Sequence, residues 1–365
     1  MSGSPAGRTV LVTGGSGFVA AHLVRQLLER GHRVHTTVRG TANAAKLRPL
    51  HALRDAHPGR LDLFEADLLA DGSFDEAMQG CSVVFHVASP FLMPEKIRDG
   101  RRDVVEPALR GTRNVLAGID RTESVERLVL TSTVGAVFGD YADVLEMEDR
   151  TLSERYFNTT STVENNPYHY AKTVAERAAW DAAAAQDRWD MVSVNPGLVL
   201  GPSLTPASDS GSLFLLDELF KGYFFYGAPD FSFTTADVRD VAAAHIAAAE
   251  RPEAHGRYLV AAEEMTSFHR MATILRAHHR GNLRLPRTAL PHWPVRLLGP
   301  AFGLSQTYIR NHLGIRFRVD NRRSVEELGL TYRPIEETLV DHYRAWREQR
   351  RARARGSARG NALRG

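Results

Sequence analysis

Over the first 195 residues, short runs of β-branched and aliphatic residues alternate with longer stretches of helical apolar spacing, the pattern of βαβ units and a parallel sheet. Buried strands are predicted at 9–13, 34–38, 61–65, 83–87, 127–131 and 190–194. A helix over 18–30 sets Val19, Leu23, Leu27 and Leu28 on one face and ends at Gly31, and further helices are predicted around 100–118 and 169–186. Beyond Pro196 the rhythm loosens as proline, glycine and aromatic residues rise over 197–231, followed by a strand at 257–260 and a helix near 266–280. The apolar, proline-broken stretch 285–304 reads as a helical cap over a second lobe, or as a lid or membrane-surface contact. Ser324 and Glu327 have capping-box spacing for a short helix ended by Gly329, and a last amphipathic helix after Pro334 buries Ile335, Leu339, Tyr343 and Trp346. The fold class is therefore α/β, a doubly wound parallel sheet with a smaller, interleaved C-terminal lobe. Residues 7–196, with 232–250 returning to them, form the first domain. Residues 197–231 and 251–346 form the second.

Composition narrows this picture. With 43% hydrophobic and 24% charged residues in 365, the chain excludes wholesale disorder and suits one large α/β unit or two lobes. One cysteine, Cys81, forbids an intrachain disulfide and a multi-thiolate zinc site. The leading MSGSPAGR has no apolar core of a signal peptide, and no run approaches the ~18 apolar residues of a membrane helix, so the cytoplasm is the expected compartment. Residues 347–365 carry net +6 against +3 for the whole chain, which leaves −3 for residues 1–346. The basicity is thus a tail, expected to be a disordered, Arg-rich extension, and nucleic acid is not an expected partner.

Between the first strand and first helix lies Thr13-Gly14-Gly15-Ser16-Gly17-Phe18-Val19-Ala20. Glycines there allow a tight turn and let backbone N–H groups approach a pyrophosphate at a helix N-terminus, where the dipole favours anions. The second strand ends Thr37-Val38-Arg39, without the carboxylate that an NAD-selective site presents to the ribose. Arg39, with Lys46 seven residues on, suits a 2′-phosphate, so the expected cofactor is NADP.

Asn166-Pro167-Tyr168-His169-Tyr170-Ala171-Lys172 opens a helix that puts Tyr168 and Lys172 on one face. A neighbouring ammonium is expected to pull the phenol pKa down from ~10, readying it to exchange a proton with a carbonyl or alcohol oxygen. The fifth strand ends Leu130-Thr131-Ser132-Thr133, where alternation sends Thr131 and Thr133 one way and Ser132 the other. Tyr170 has no lysine four residues on. His86 reads as a core residue, His169 points off the tyrosine face, and neither His278-His279 nor any H-E-x-x-H pattern indicates metal.

Taken together, these stretches resemble the extended short-chain dehydrogenase/reductase superfamily, within it the dihydroflavonol reductase, cinnamoyl-CoA reductase and aldehyde reductase group. TGGSGFVA (13–20), VFHVASP (84–90), RLVLTSTVGAV (127–137), PYHYAKTVAERAAW (167–180) and DVRDVAAAHI (237–246) carry the likeness, which spans about residues 8–260. The resemblance implies a Rossmann fold binding NADP and a small-molecule carbonyl substrate, as a monomer or homodimer. It makes Tyr168 the catalytic acid, Lys172 its pKa modulator and ribose ligand, and Thr133 the hydroxyl on the substrate oxygen, with Ser132 as the alternative. It also implies that Gly14, Ser16, Gly17, Phe18 and Val19 cradle the cofactor, that Asp67 and Leu68 meet its adenine, and that Val87, Ala88, Ser89 and Pro196 line it. Asn114 is implied to help hold an active-site water. Val134 and Gly135 replace the Asp-Glu pair of sugar dehydratases, and 197–231 is aromatic and lightly charged, so an apolar or aryl ketone or aldehyde is the expected substrate. The competing readings are a hydroxysteroid dehydrogenase, an NAD-dependent nucleotide-sugar epimerase and a catalytically silent NADP-binding regulator.

Overall fold

The structure is a computed structural model that describes residues 7–40, 42–90, 97–205, 211–278 and 284–362. In chain order its first half runs β1 (Thr9–Val12), α1 (Phe18–Glu29), β2 (Arg33–Val38), α2 (Ala44–Ala56), β3 (Leu61–Glu65), α3 (Asp75–Met78), β4 (Val83–His86), α4 (Glu106–Arg121), β5 (Arg127–Thr131) and α5 (Tyr141–Val144). Then come β6 (Thr151–Leu152), α6 (Pro167–Ala184), β7 (Asp190–Pro196), β8 (Leu198–Leu200), α7 (Gly211–Lys221), β9 (Ser232–Phe233), β10 (Thr235–Asp237), α8 (Val238–Glu250) and β11 (Gly256–Val260). Seven strands pair in the order β11-β7-β5-β4-β1-β2-β3, all parallel. The order reverses between β1 and β4, and the crevice outside the C-terminal strand ends at such a point is where open α/β sheets bind ligands.

Strand alternation sorts the core into two layers. Val10 and Val12 of β1 join α1 (Leu23, Val24, Leu27) and α8 (Val241, Ala242) on one face. Leu11, Val84 and Leu128 face the other way, against Met78 of α3, Val115 and Ile119 of α4, and Ala179 of α6. A third apolar cluster belongs to the C-terminal part: Leu216 and Phe220 of α7 meet α9 (Phe268–His278), α10 (His292–Leu298), α11 (Gln306–His312) and Leu339 and Tyr343 of the last helix.

Three expectations change here. Residues 256–260 are the edge strand of the main sheet, paired with β7, so that part of 251–346 belongs with the first domain rather than the second lobe. Ser324 lies inside the helix α12 (Arg322–Glu326) and donates its hydroxyl to the Asn321 carbonyl at 2.7 Å, so it is not the cap of a helix starting after it. The final helix, α13 (Ile335–Ala362), carries through 347–362, where a disordered extension was expected. Alanine and arginine are strong helix formers, and here they prolong a helix already nucleated by the packed residues before them.

Candidate active site

The turn after β1 is built for a group that needs bare backbone. Gly14 has φ of 72°, and a Cβ there would meet Ala88 Cβ at 3.0 Å. At Gly15 a Cβ would collide with Thr36 Oγ1 at 2.1 Å. Gly14 N–H donates to Thr37 Oγ1 at 3.1 Å and Gly15 N–H to the Thr37 carbonyl at 2.9 Å, fixing the turn against β2. The N-cap of α1 is Gly17, with no side chain capping the first turn. Backbone N–H groups at Phe18 and Val19 are thus turned toward the crevice end of the sheet, with Ser16 between the glycines, and the donor set fits a pyrophosphate. Arg39 is exposed just past β2, and Lys46 lies in the first turn of α2, whose Asn43 cap accepts the Lys46 N–H at 3.2 Å. Arg39 follows β2 and Lys46 opens α2, and both carry the sign of charge that a 2′-phosphate requires.

Sequence reasoning overlooked Thr13. Its Oγ1 accepts the backbone N–H of Val87 at 3.0 Å and of Ala88 at 2.9 Å, and lies 3.1 Å from His86 Nδ1. One hydroxyl thereby pins the segment after β4 to the glycine turn. Its position at the head of the glycine turn was visible, but a contact 74 residues distant was not. His86 is buried and its pKa is held down at about 3 by burial and by the nearby Lys172 charge, so it is the neutral core residue expected. Asp67 accepts the N–H of its own Leu69 at 2.8 Å. Asn114 donates to the Leu68 carbonyl at 2.7 Å, which fixes the segment after β3.

The helix α6 begins at an N-cap, Asn166, held in the left-handed region at φ 62°, with Pro167 as its first residue. Its His169 ring occupies the space where a Gly135 Cβ would stand, 2.3 Å from Cδ2, so the first turn of α6 packs directly on the turn after β5. That contact brings the helix bearing Tyr168 and Lys172 to the loop bearing Thr133. The two hydroxyls of this loop diverge as alternation predicts. Ser132 donates to the buried carboxylate of Glu176, while Thr133 Oγ1 accepts from Gly135 N at 3.3 Å and reaches the Pro196 carbonyl at 3.4 Å. His169 turns away from Tyr168, to Gly139 O at 3.0 Å.

Lys172 Nζ donates to the Thr131 carbonyl at 3.2 Å, and burial lowers its pKa to about 8 against the countercharge of Glu176. Tyr168 keeps 41% of its surface accessible, yet the protein mass around it raises the phenol pKa. The expected fall in the tyrosine pKa is therefore absent: desolvation governs both groups, and the ammonium is turned to the Thr131 carbonyl. A recess at these strand ends is lined by Leu68, Ala88, Ser89 and Lys172 among the expected residues, and by Ser132 and Glu176 with them, whereas Thr133 and Tyr168 lie outside its lining.

A parallel sheet with a glycine cradle after β1 and a Tyr-x-x-x-Lys pair on the helix before β7 defines an extended short-chain dehydrogenase/reductase. The chain belongs to the NAD dependent epimerase/dehydratase family, whose model matches residues 10–261. It is 34% identical to cinnamoyl-CoA reductase CAD2 of Medicago truncatula over 352 residues, 96% of this chain and 99% of the relative. It is 34% identical to the bifunctional dihydroflavonol 4-reductase/flavanone 4-reductase of Malus domestica over 269 residues, 73% of this chain and 75% of that one. Among solved structures it is similar to yeast methylglyoxal/isovaleraldehyde reductase Gre2 complexed with NADPH, with a TM-score of 0.72 and 26% identity, covering 93% of this chain and 98% of that chain. No helix among the described residues is long and apolar enough to cross a membrane.

Proposed function

We propose that this protein is an NADPH-dependent reductase of a small apolar or aryl ketone or aldehyde. The observation that carries it is the divergence at the end of β5: Ser132 is committed to Glu176, which leaves Thr133 as the hydroxyl beside the helix of Tyr168 and Lys172. The reductase names and the NADPH of the relatives support it. When bound, NADPH supplies the hydride. Tyr168 donates its phenolic proton to the substrate oxygen as negative charge develops there, and the Thr133 hydroxyl donates a hydrogen bond to the same oxygen. The Lys172 ammonium holds the ribose hydroxyls and stabilises the phenolate left behind. Gly14, Ser16, Gly17, Phe18 and Val19 cradle the pyrophosphate, and Arg39 and Lys46 take the 2′-phosphate. Asp67 and Leu68 meet the adenine, and Val87, Ala88, Ser89 and Pro196 line the cofactor. The aromatic residues of 213–231 and the C-terminal lobe bind the substrate. The protein acts in the cytoplasm, as a monomer or homodimer.

Steady-state oxidation of NADPH against a panel of aryl and aliphatic carbonyls tests this. Stoichiometric NADPH loss with an aryl ketone or aldehyde is expected. Tight NADPH binding with no turnover on any carbonyl would instead mark a regulator.

A further inference from the structure

A carboxylate with no solvent access lies one helical turn past Lys172. Glu176 shows 0% side-chain exposure and faces the Arg257 guanidinium, itself at 7%. Its Oε1 accepts Arg257 Nε at 2.6 Å and Trp180 Nε1 at 3.2 Å, while Oε2 accepts Asn195 Nδ2 at 3.0 Å, Arg257 Nη2 at 3.4 Å and the Ser132 hydroxyl. The partners then reach onward. Asn195 Nδ2 also donates to the Thr133 carbonyl at 3.1 Å, and Arg257 Nη2 to the Ala136 carbonyl at 3.1 Å. Arg257 Nη1 takes the Tyr156 carbonyl at 2.5 Å, and its guanidinium lies 3.9 Å from the Phe157 ring centre. Four elements, α6, β7, β11 and the turn after β5, thus converge on one buried ion pair. Hydrocarbon side chains of similar volume often serve stability as well as a buried pair does, so stability alone does not account for this one.

We propose, resting on the reading of this site as a carbonyl-reductase centre, that Glu176 is a positioning residue that sets the orientation of the Thr133 hydroxyl. It does so by drawing Ser132 back into the core while Asn195 and Arg257 clamp the carbonyls of Thr133 and Ala136 at the two ends of the turn. With its carbonyl held by Asn195, Thr133 keeps its hydroxyl between the Gly135 N–H and the Pro196 carbonyl, away from Ser132. Glu176 also lines the recess beside Lys172, one turn along the same helix, and supplies its countercharge. The other groups around that ammonium are the neutral His86 from β4 and the Thr131 carbonyl from β5; α4 contributes the uncharged Ala108 and Thr112, and β11 contributes Arg257, already paired with Glu176. Removing the negative charge should therefore move the alkaline limb of the rate profile to lower pH.

Two variants, compared with the wild type as full-length protein, separate positioning from bulk stability. In Glu176→Gln an amide N–H opposes Arg257, and kcat should fall about 10- to 100-fold, the scale of a small misplacement of a reacting group. NADPH affinity should fall far less than kcat, within about threefold, since no hydrogen bond of Glu176 goes to the glycine turn. Backbone hydrogen exchange at 133–137 should quicken at least about tenfold while β1 and β2 stay protected. The double variant Glu176→Leu/Arg257→Leu replaces the pair with hydrocarbon. It should fold at least as stably, keep the loosened turn and remain slow. Restored kcat in the double variant, unchanged exchange at 133–137, or equal losses of kcat and NADPH affinity would overturn the proposal. If the wild type reduces no carbonyl while Glu176→Gln still loosens 133–137 selectively, the turn-setting role stands and the functional reading falls.

Discussion

Replacing Lys172 by methionine should stabilise the apo-protein while destroying its activity. The ammonium is half-buried at the strand ends and hydrogen-bonded to the Thr131 carbonyl, and desolvation there brings its pKa to about 8 instead of 10.5. At about 1.4 kcal/mol per pK unit, that gap corresponds to roughly 3 kcal/mol of unfavourable charge burial at neutral pH. Methionine matches the length of the side chain but forfeits one hydrogen bond, worth about 1 kcal/mol, so a net gain of about 2 kcal/mol is expected. Between pH 8 and 10.5 the folded protein has released this proton and the unfolded chain still holds it. The unfolded state then binds more protons, so wild-type stability rises with pH across that window, and below pH 8 the penalty is fully present. Urea denaturation of both proteins at pH 7 and pH 10 measures this. The variant should be more stable at pH 7, with the difference shrinking towards pH 10. A less stable variant, or a difference independent of pH, would refute a strained buried ammonium.

Other substitutions address the remaining roles. Tyr168→Phe should lower kcat/KM by about two to four orders of magnitude, the scale of general acid catalysis, with NADPH affinity intact in a fluorescence titration. Full activity would remove the tyrosine from the mechanism. Arg39→Asp should weaken NADPH binding by about 10- to 100-fold, the worth of one charge-assisted bond, and tilt preference towards NADH. An unchanged kcat/KM ratio for the two cofactors would place the 2′-phosphate pocket elsewhere.

What was legible in the sequence was what is local in it. All seven strands of the main sheet announce themselves as short runs rich in apolar residues, and the glycine turn and the Tyr168–Lys172 pair each occupy fewer than nine consecutive residues. The helix Ala44–Ala56 was missed because it buries only Leu47 and Leu50 and holds Pro49 inside it. The two-residue strand Ser232–Phe233 is too short to show any periodicity. The cluster around Glu176 was invisible for a different reason: its ion pair joins residues 81 apart, and only the pairing of β11 with β7, with α6 beside them, brings them together. Likewise, the pKa expectation for Tyr168 assumed an ammonium directed at the phenol, whereas chain geometry turns it to the Thr131 carbonyl. Arg-rich composition suggested a loose tail, but the helix running into it from Ile335 already had its nucleus in packed residues such as Leu339 and Tyr343.

The most direct measurement is isotope transfer from NADPH deuterated at the nicotinamide C4 position, followed by mass spectrometry of the product. One deuterium on the new carbinol carbon for each NADPH oxidised is the predicted result. Product formed with no net oxidation of cofactor, or with carbon-bound hydrogen drawn from solvent, would contradict a carbonyl reductase and point to an epimerase.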